Sequence, residues 1–184
     1  MAKQDKFIIK TPVVELAWPY LRQPDTQFDA IGHYKCDFLM TPEQANDFVQ
    51  KIFEDPRSIS KGKPSKPKGT KSEDKIKFRT KQKAKISYQK DGQTIETDMA
   101  PKLYYIVDGK TLPYPDDSPS PYSGSTGELE IEVAPFDGFG GGVTLRLRSV
   151  RLHDVVSSSG GSGGGWDDVS EDAVEESSET EGAW

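Results

Sequence analysis

Between positions 75 and 85 every odd residue is a cation: Lys75, Lys77, Arg79, Lys81, Lys83 and Lys85. The even positions from 76 to 88 are mostly apolar, with Ile76, Phe78, Ala84, Ile86 and Tyr88. Side chains alternate along a strand, so this spacing places the six charges on one face and the apolar row on the other. A row of that kind suits a polyanion whose phosphates it neutralises one after another. Lys35, Arg146 and Arg148 add cations on other strands. The second ingredient is aromatic. Phe136 and Phe139 sit in APFDGFGGG, a link between strands whose glycines allow a close approach of backbone or base. Rings beside cations hold single-stranded nucleic acid, each stacked base being worth about 1–3 kcal/mol. Phe78, Tyr88 and Tyr104 are assigned to core packing instead.

Catalytic chemistry finds little to work with. His33 and His153 have no Ser or Cys arrangement that pairs a nucleophile with a base, and they read as surface or strand-edge residues. Two histidines and the single Cys36 give no zinc spacing, and one cysteine gives no intrachain disulfide. The glycines at 140–142 lack the Lys-Ser or Lys-Thr of a phosphate loop, and 157–165 opens onto acids, the wrong sign for phosphate. The expectation is a binding protein without enzymatic activity, metal or cofactor.

Charge divides the chain more sharply than its net value of −6 indicates. Residues 57–90 hold thirteen Lys or Arg against Glu73 and Asp74, whereas 160–184 hold eight acids and no base. A basic body points to an anionic partner, and an acidic tail to something that competes for the same surface or recruits a protein. The tail follows a Gly/Ser linker, 157–165, and its own stretch, 166–184, is too polar to bury a core. Trp166, Asp167, Asp168, Glu171, Asp172, Glu175, Glu176, Glu179, Glu181 and Trp184 are its partner-binding candidates. A random coil of this length reaches about 30 Å, enough to find the cationic face of its own domain. No apolar run approaches the roughly 18 residues of a membrane helix, and MAKQDKF lacks the apolar stretch of a secretory signal, so a soluble cytoplasmic protein is expected.

The elements that must position these groups are mostly strands. Residues 7–16 are a β-branched run, and 33–40 alternate with Tyr34, Cys36, Phe38 and Met40 on one side. TPEQ then starts the one clear helix, with Thr41 as N-cap, Pro42 first in the helix and Gln44 completing a capping box. Ala45, Phe48, Val49, Ile52 and Phe53 recur at helical spacing up to about residue 53. Residues 57–75, rich in Lys, Pro, Ser and Gly, read as a long mobile basic loop. Residues 103–107 form a short strand before an Asp108-Gly109 turn. The final pair is 128–133 with 143–156, where Leu129, Ile131 and Val133 face Val143, Leu145 and Leu147, and the alternation slips at 148–150 as a bulge would make it. Strands at regular spacing with one helix after the second predict an all-β domain over 1–156, an OB-fold antiparallel Greek-key barrel.

Several segments in this order resemble one family. They are MAKQDKF, WPYLRQPD, GHYKCDF, SKGKPSKPKG, KFRTKQKAKISY and GGGVTLRLRSVRL, followed by GGGWDD and an acidic tail with an aromatic end. The chain resembles the replication single-stranded DNA-binding proteins of short-tailed lytic bacteriophages. The resemblance implies an OB barrel that binds single-stranded DNA without sequence preference in replication, recombination and repair, and anneals complementary strands. It also implies a homodimer, and tail contacts to the phage DNA polymerase and helicase-primase in the host cytoplasm. Lys3 and Lys35 stand where the family carries basic residues. Two positions depart from it: the chain ends in Trp184 where a phenylalanine is usual, and Ile31 stands where an arginine is expected. An RNA-binding OB protein and an adaptor acting through its acidic tail are the alternatives, because stacking and phosphate contacts alone do not separate the two sugars.

Overall fold

The structure, a computed structural model, describes residues 6–157. Its first strands are β1 (Phe7–Lys10), β2 (Val14–Asp25) and β3 (His33–Met40), followed by helix α1 (Pro42–Glu54) and a short 3-10 turn, Pro56–Ser58. The middle of the chain carries β4 (Ile59–Ser60), β5 (Lys63–Pro64), β6 (Thr70–Ser72), β7 (Lys75–Lys83), β8 (Lys85–Lys90) and β9 (Gln93–Asp98). It closes with β10 (Lys102–Val107), β11 (Lys110–Pro113), β12 (Thr126–Phe136) and β13 (Gly142–Asp154).

The helix forms where its cap predicts. Thr41 Oγ1 accepts from the Gln44 N–H at 3.2 Å while the Gln44 side chain accepts from the Thr41 N–H at 3.1 Å, which satisfies two of the helix's orphan donors. Ala45, Phe48 and Ile52 make its buried face. Phe48 packs edge-on to Phe38 of β3 and Phe78 of β7, with ring centroids 5.6 and 5.1 Å apart, so the helix plugs one end of the strand layer.

Five strands make the barrel. β12, β2, β3 and β7 neighbour one another in that order, all antiparallel, and β13 pairs antiparallel with the other edge of β12. Following these directions round makes β7 and β13 parallel, the arrangement of an OB-fold Greek-key barrel. Leu16, Cys36, Phe38, Met40, Phe78, Leu129, Ile131, Val133, Leu147 and Leu152 fill it. β7 and β13 share no ladder; the buried Gln82 side chain closes the seam. Its amide donates to the Leu147 carbonyl at 2.8 Å and accepts from the Leu147 N–H at 3.1 Å, as a neighbouring strand would. The expected slip in β13 is present: Glu130 faces Ser149 and Ile131 faces Leu147, leaving Arg148 as the extra residue of a bulge. The bulge keeps Leu145 and Leu147 inside before it and Val150 and Leu152 inside after it.

Three readings are corrected. The β-branched run at 7–16 is two strands, because the chain turns at 11–13, with β1 pairing β12 and β2 moving on to β3. The cationic strand ends at Lys83. At Ala84 the chain leaves the barrel, its N–H donating to the Gly32 carbonyl at 3.0 Å and its carbonyl accepting from Met99 at 2.8 Å, so Lys85 begins a separate hairpin, β8–β9. Ile86 and Tyr88, expected inside, are therefore exposed on that hairpin. The stretch 57–75, read as one loop, holds the β4–β5 hairpin and β6, which pairs with β7. Pro67 is buried in it, and Gly69 lies so close to Ile76 and Phe78 that a Cβ there would collide with both.

Gln82→Leu keeps the volume but strands two buried backbone groups of Leu147, each worth about 1–3 kcal/mol. Urea unfolding should show a midpoint lowered by about 2 kcal/mol or more of stability. A change below about 0.5 kcal/mol would mean the seam does not need the amide.

Candidate nucleic-acid interface

The cations of β7 divide according to the acids opposite them. Asp37 of β3 lies directly across from Arg79, and its carboxylate, only 4% exposed, accepts from Arg79 Nε at 2.8 Å and Nη2 at 3.2 Å. That hydrogen-bonded charge holds the guanidinium above its ordinary pKa. Lys77 approaches the same carboxylate at 3.8 Å, and Lys75 bonds Glu15 of β2 at 3.2 Å. Lys35 bridges to Asp25, lowering that carboxyl's pKa chiefly through the hydrogen bond, and lies 5.6 Å from the Tyr20 ring centre. Lys81 and Lys83 have no ion pair among the described residues. The uniform face expected from the alternation is therefore graded, neutralised at the start of β7 and positive at its end.

That positive end borders a trough along the seam. One part, about 500 Å³, lies between Lys66 and Lys68 on one side and Phe136, Phe139 and the start of β13 on the other, with Arg79 and Lys81 in its wall. A second part, about 360 Å³, is walled by Lys6, Lys81, Lys83, Arg146 and Arg148, with Ile86 and Met99 at its edge. Both parts share Lys81 and Thr144, which makes them one path. Eight Lys or Arg line it and no Asp or Glu, so its potential favours an anion along the whole length. A cleft elsewhere, walled by Lys10, Glu128, Glu130 and Arg151, mixes both signs and has no such field.

Arg146 and Arg148 are held rather than loose. The Glu132 carboxylate of β12 accepts from Arg146 Nη1 at 3.2 Å and from Arg148 Nε at 3.1 Å, and Lys6 stands 4.0 Å away. Burial alone would raise the Glu132 pKa, but the Arg148 hydrogen bonds and the charges of Arg148, Lys6 and Arg146 outweigh it and leave it below the ordinary carboxylate value. Glu132 stands directly across from Arg146, and Arg148, the bulged residue two positions on, reaches the same acid.

The loop between β12 and β13 is anchored from the β4–β5 hairpin. Ser60 Oγ donates to the Phe136 carbonyl and accepts from the Gly142 N–H at 3.0 Å, and Asp137 Oδ1 accepts from the Lys61 N–H at 2.8 Å. Gly141 adopts φ +86° against Ser60, where a Cβ would strike the hydroxyl. The two phenylalanines part company here. Phe136 is half-buried with its ring edge against Gly142, whereas Phe139, at φ +51°, is fully exposed at the trough mouth.

The structure thus brings together Lys81, Lys83, Arg146, Arg148, Phe136 and Phe139, and puts Arg79 in the wall. It sets Lys35, Lys75 and Lys77 against acids outside the trough, and Lys85 on the hairpin opposite Asp98. Lys3 and the tail candidates at 166–184 lie outside the described residues. Lys6, Lys66 and Lys68 were not singled out by the sequence reading. The signal was available in SKGKPSKPKG, but nothing local showed that β6 folds this stretch back along β7. Cys36 is fully buried and burial pushes its thiol pKa up, away from nucleophilic chemistry.

With this geometry in hand, the fold can be set beside known ones. No family model matches the chain, and no curated protein matches it in sequence. The structure is similar to gp2.5, a single-stranded DNA-binding protein encoded by bacteriophage T7, with a TM-score of 0.60 and 19% identity over 88% of this chain and 91% of that one. It is also similar to the single-stranded DNA-binding protein of bacteriophage Enc34, at 0.53 and 14% identity over 80% of each chain. The same protein in complex with single-stranded DNA gives 0.53 and 16% identity over 82% of this chain and 88% of that one. At these identities the likeness is one of fold.

Glu132 also makes the site a pH reporter. Its folded pKa lies below the unfolded value near 4.5, so its pairing stabilises the fold above that pH and is lost as pH falls through the folded pKa. Urea midpoints should decline below about pH 4.5 in the wild type, and Glu132→Gln should flatten that decline. An identical profile in both proteins would show that Glu132 titrates normally.

Proposed function

We propose that this protein binds single-stranded DNA without sequence preference and serves phage DNA replication and recombination, protecting single strands and promoting their annealing, with no catalytic step of its own. The observation that carries the reading is the acid-free trough with eight cations and an exposed ring at its mouth. The likeness in fold to the T7 and Enc34 proteins supports it. In this reading the phosphates run past Lys66, Lys68, Lys81, Lys83, Arg146 and Arg148 while a base stacks on Phe139. The acidic tail contacts the phage polymerase and helicase-primase, a second copy of the chain completes a homodimer, and the host cytoplasm is the place of action.

Salt-dependent binding to a labelled single-stranded oligomer tests the track. Lys81→Ala with Lys83→Ala should weaken binding and make the salt slope shallower by roughly 0.7 per lost contact. Lys75→Ala with Lys77→Ala, whose lysines already face acids, should change the slope much less. Phe139→Ala should lose about 1–3 kcal/mol of binding with the slope intact, because stacking releases no counterions. Equal slopes in all of these proteins would reject the trough, and tighter binding of an RNA oligomer would favour the RNA alternative.

Removal of 157–184 takes away eight acids that compete for the trough. Affinity for single-stranded DNA should rise, most at low salt, while Trp184→Ala should leave it unchanged and weaken polymerase pull-down. Weaker DNA binding by the truncated chain would make the tail part of the binding site.

A further inference from the structure

The hairpin that leaves the barrel at Ala84 has no role in the architecture described above. β8 and β9 pair only with each other, closed by an Asp91-Gly92 turn with both residues at positive φ. Directly opposed residues share a face, so Ile86 with Thr97, Tyr88 with Ile95 and Lys90 with Gln93 make one side. Lys85, Ser87 and Gln89 with Asp98, Glu96 and Thr94 make the other. The hairpin is amphipathic, yet Ile86 is 42% and Tyr88 48% exposed. A lone two-stranded hairpin is marginal in water and has no reason of stability to show its apolar side.

Its base is fixed. Besides the two Ala84 bonds, the Tyr34 hydroxyl donates to Asp98 Oδ1 at 3.4 Å and the Ala100 N–H donates to the same atom at 3.0 Å. The face it presents is settled by Ile86, which lines the trough beside Lys83 and Arg148. Tyr88 follows two residues later on that same face, and Lys90 two further on. Glu96 and Asp98 belong to the opposite side. The trough's cationic wall therefore continues into an aliphatic and aromatic strip that ends in a cation, about 13 Å from Ile86 to Lys90 at strand rise.

We propose that the β8–β9 hairpin is an extension of the binding track, on which single-stranded polynucleotide leaving the trough lays a base against Tyr88 and a phosphate near Lys90. This rests on the function proposed above. The chemistry is that of a stacking platform, a flat ring beside an aliphatic side chain and a flanking cation, which accepts any base.

The test is a length series of oligothymidylates bound to the full-length chain, its Tyr88→Ala variant and its Tyr88→Phe variant. Tyr88→Ala should match the wild type on oligomers short enough to fill the trough alone. On longer ones it should bind roughly fivefold or more weakly, with an unchanged salt slope. Tyr88→Phe should restore wild-type binding at every length. Equal affinities for Tyr88→Ala and wild type at all lengths overturn the extension, as does a loss that is the same at every length. A Tyr88→Ala effect confined to protein association overturns it too. Absence of oligothymidylate binding by the wild type overturns both this inference and the function it rests on, whereas Lys81-dependent binding indifferent to Tyr88 removes the hairpin alone.

Discussion

A barrel of five strands has to close between two that run in the same direction, and here the distance is bridged by one side chain. Gln82 offers Leu147 both a donor and an acceptor, so the two strands are held in register at one point without a ladder between them. That spacing leaves room for the trough. Had β7 and β13 paired along their length in that register, Lys81 and Lys83 would stand beside Arg146 and Arg148 as ordinary cross-strand neighbours, and the wall would be flat. The inner face of the same seam is sealed by Phe78 and Leu147, both essentially inaccessible. One polar bridge over an apolar floor thus gives a groove that is open outward and dry inward.

Cations two residues apart on one strand face lie about 7 Å from one another, and repel by roughly 2 kcal/mol at an effective dielectric near 20. An uncompensated row from Lys75 to Lys83 would destabilise the fold that presents it. The acids answer this selectively. Glu15 and Asp37 take up Lys75, Lys77 and Arg79, and Glu132 sits under Arg146 and Arg148, so excess charge is concentrated at Lys81, Lys83 and the two loop lysines. The exposed Lys75–Glu15 pair contributes little to stability, whereas the buried Asp37 and Glu132 carboxylates depend on their cations. All of them also set where the field is left positive.

Much of this was legible from residues alone because it depends on local pattern. The capping box of Thr41 and Gln44, the alternation of 33–40 and 75–83, and the slip at Arg148 each follow from spacing within a few positions. Tertiary pairing was not local, and there the reading missed. Nothing near Asp37 in sequence shows that it will face Arg79, forty-two residues away. Alternation runs on through Ile86 and Tyr88 without a break, since a strand that leaves a sheet and starts a hairpin keeps its period; only the Ala84 bonds to Gly32 and Met99 reveal the departure. Residues 57–75 looked like loop because Lys, Pro and Gly are poor strand formers, yet the edge of β7 supplies β6 with a partner and Ser60 ties the neighbouring turn to Phe136.

The lining also bears on what such a trough can distinguish. Reading bases requires forks and amides free to meet a base edge: a guanidinium for guanine, an Asn or Gln amide for adenine, a carboxylate for cytosine. In this protein Arg79 is spent on Asp37, Arg146 and Arg148 on Glu132, and the Gln82 amide on the Leu147 backbone. No carboxylate lines the path. What remains is mostly lysine, a point charge that meets any phosphate, with Thr144, His33 and the Phe139 ring, which meets any base. The same hydrogen bonds that hold the seam together and temper its charge therefore engage the forks and amides best suited to read a sequence, so under the proposed function a polynucleotide in this trough would be held chiefly by its backbone and its stacking faces.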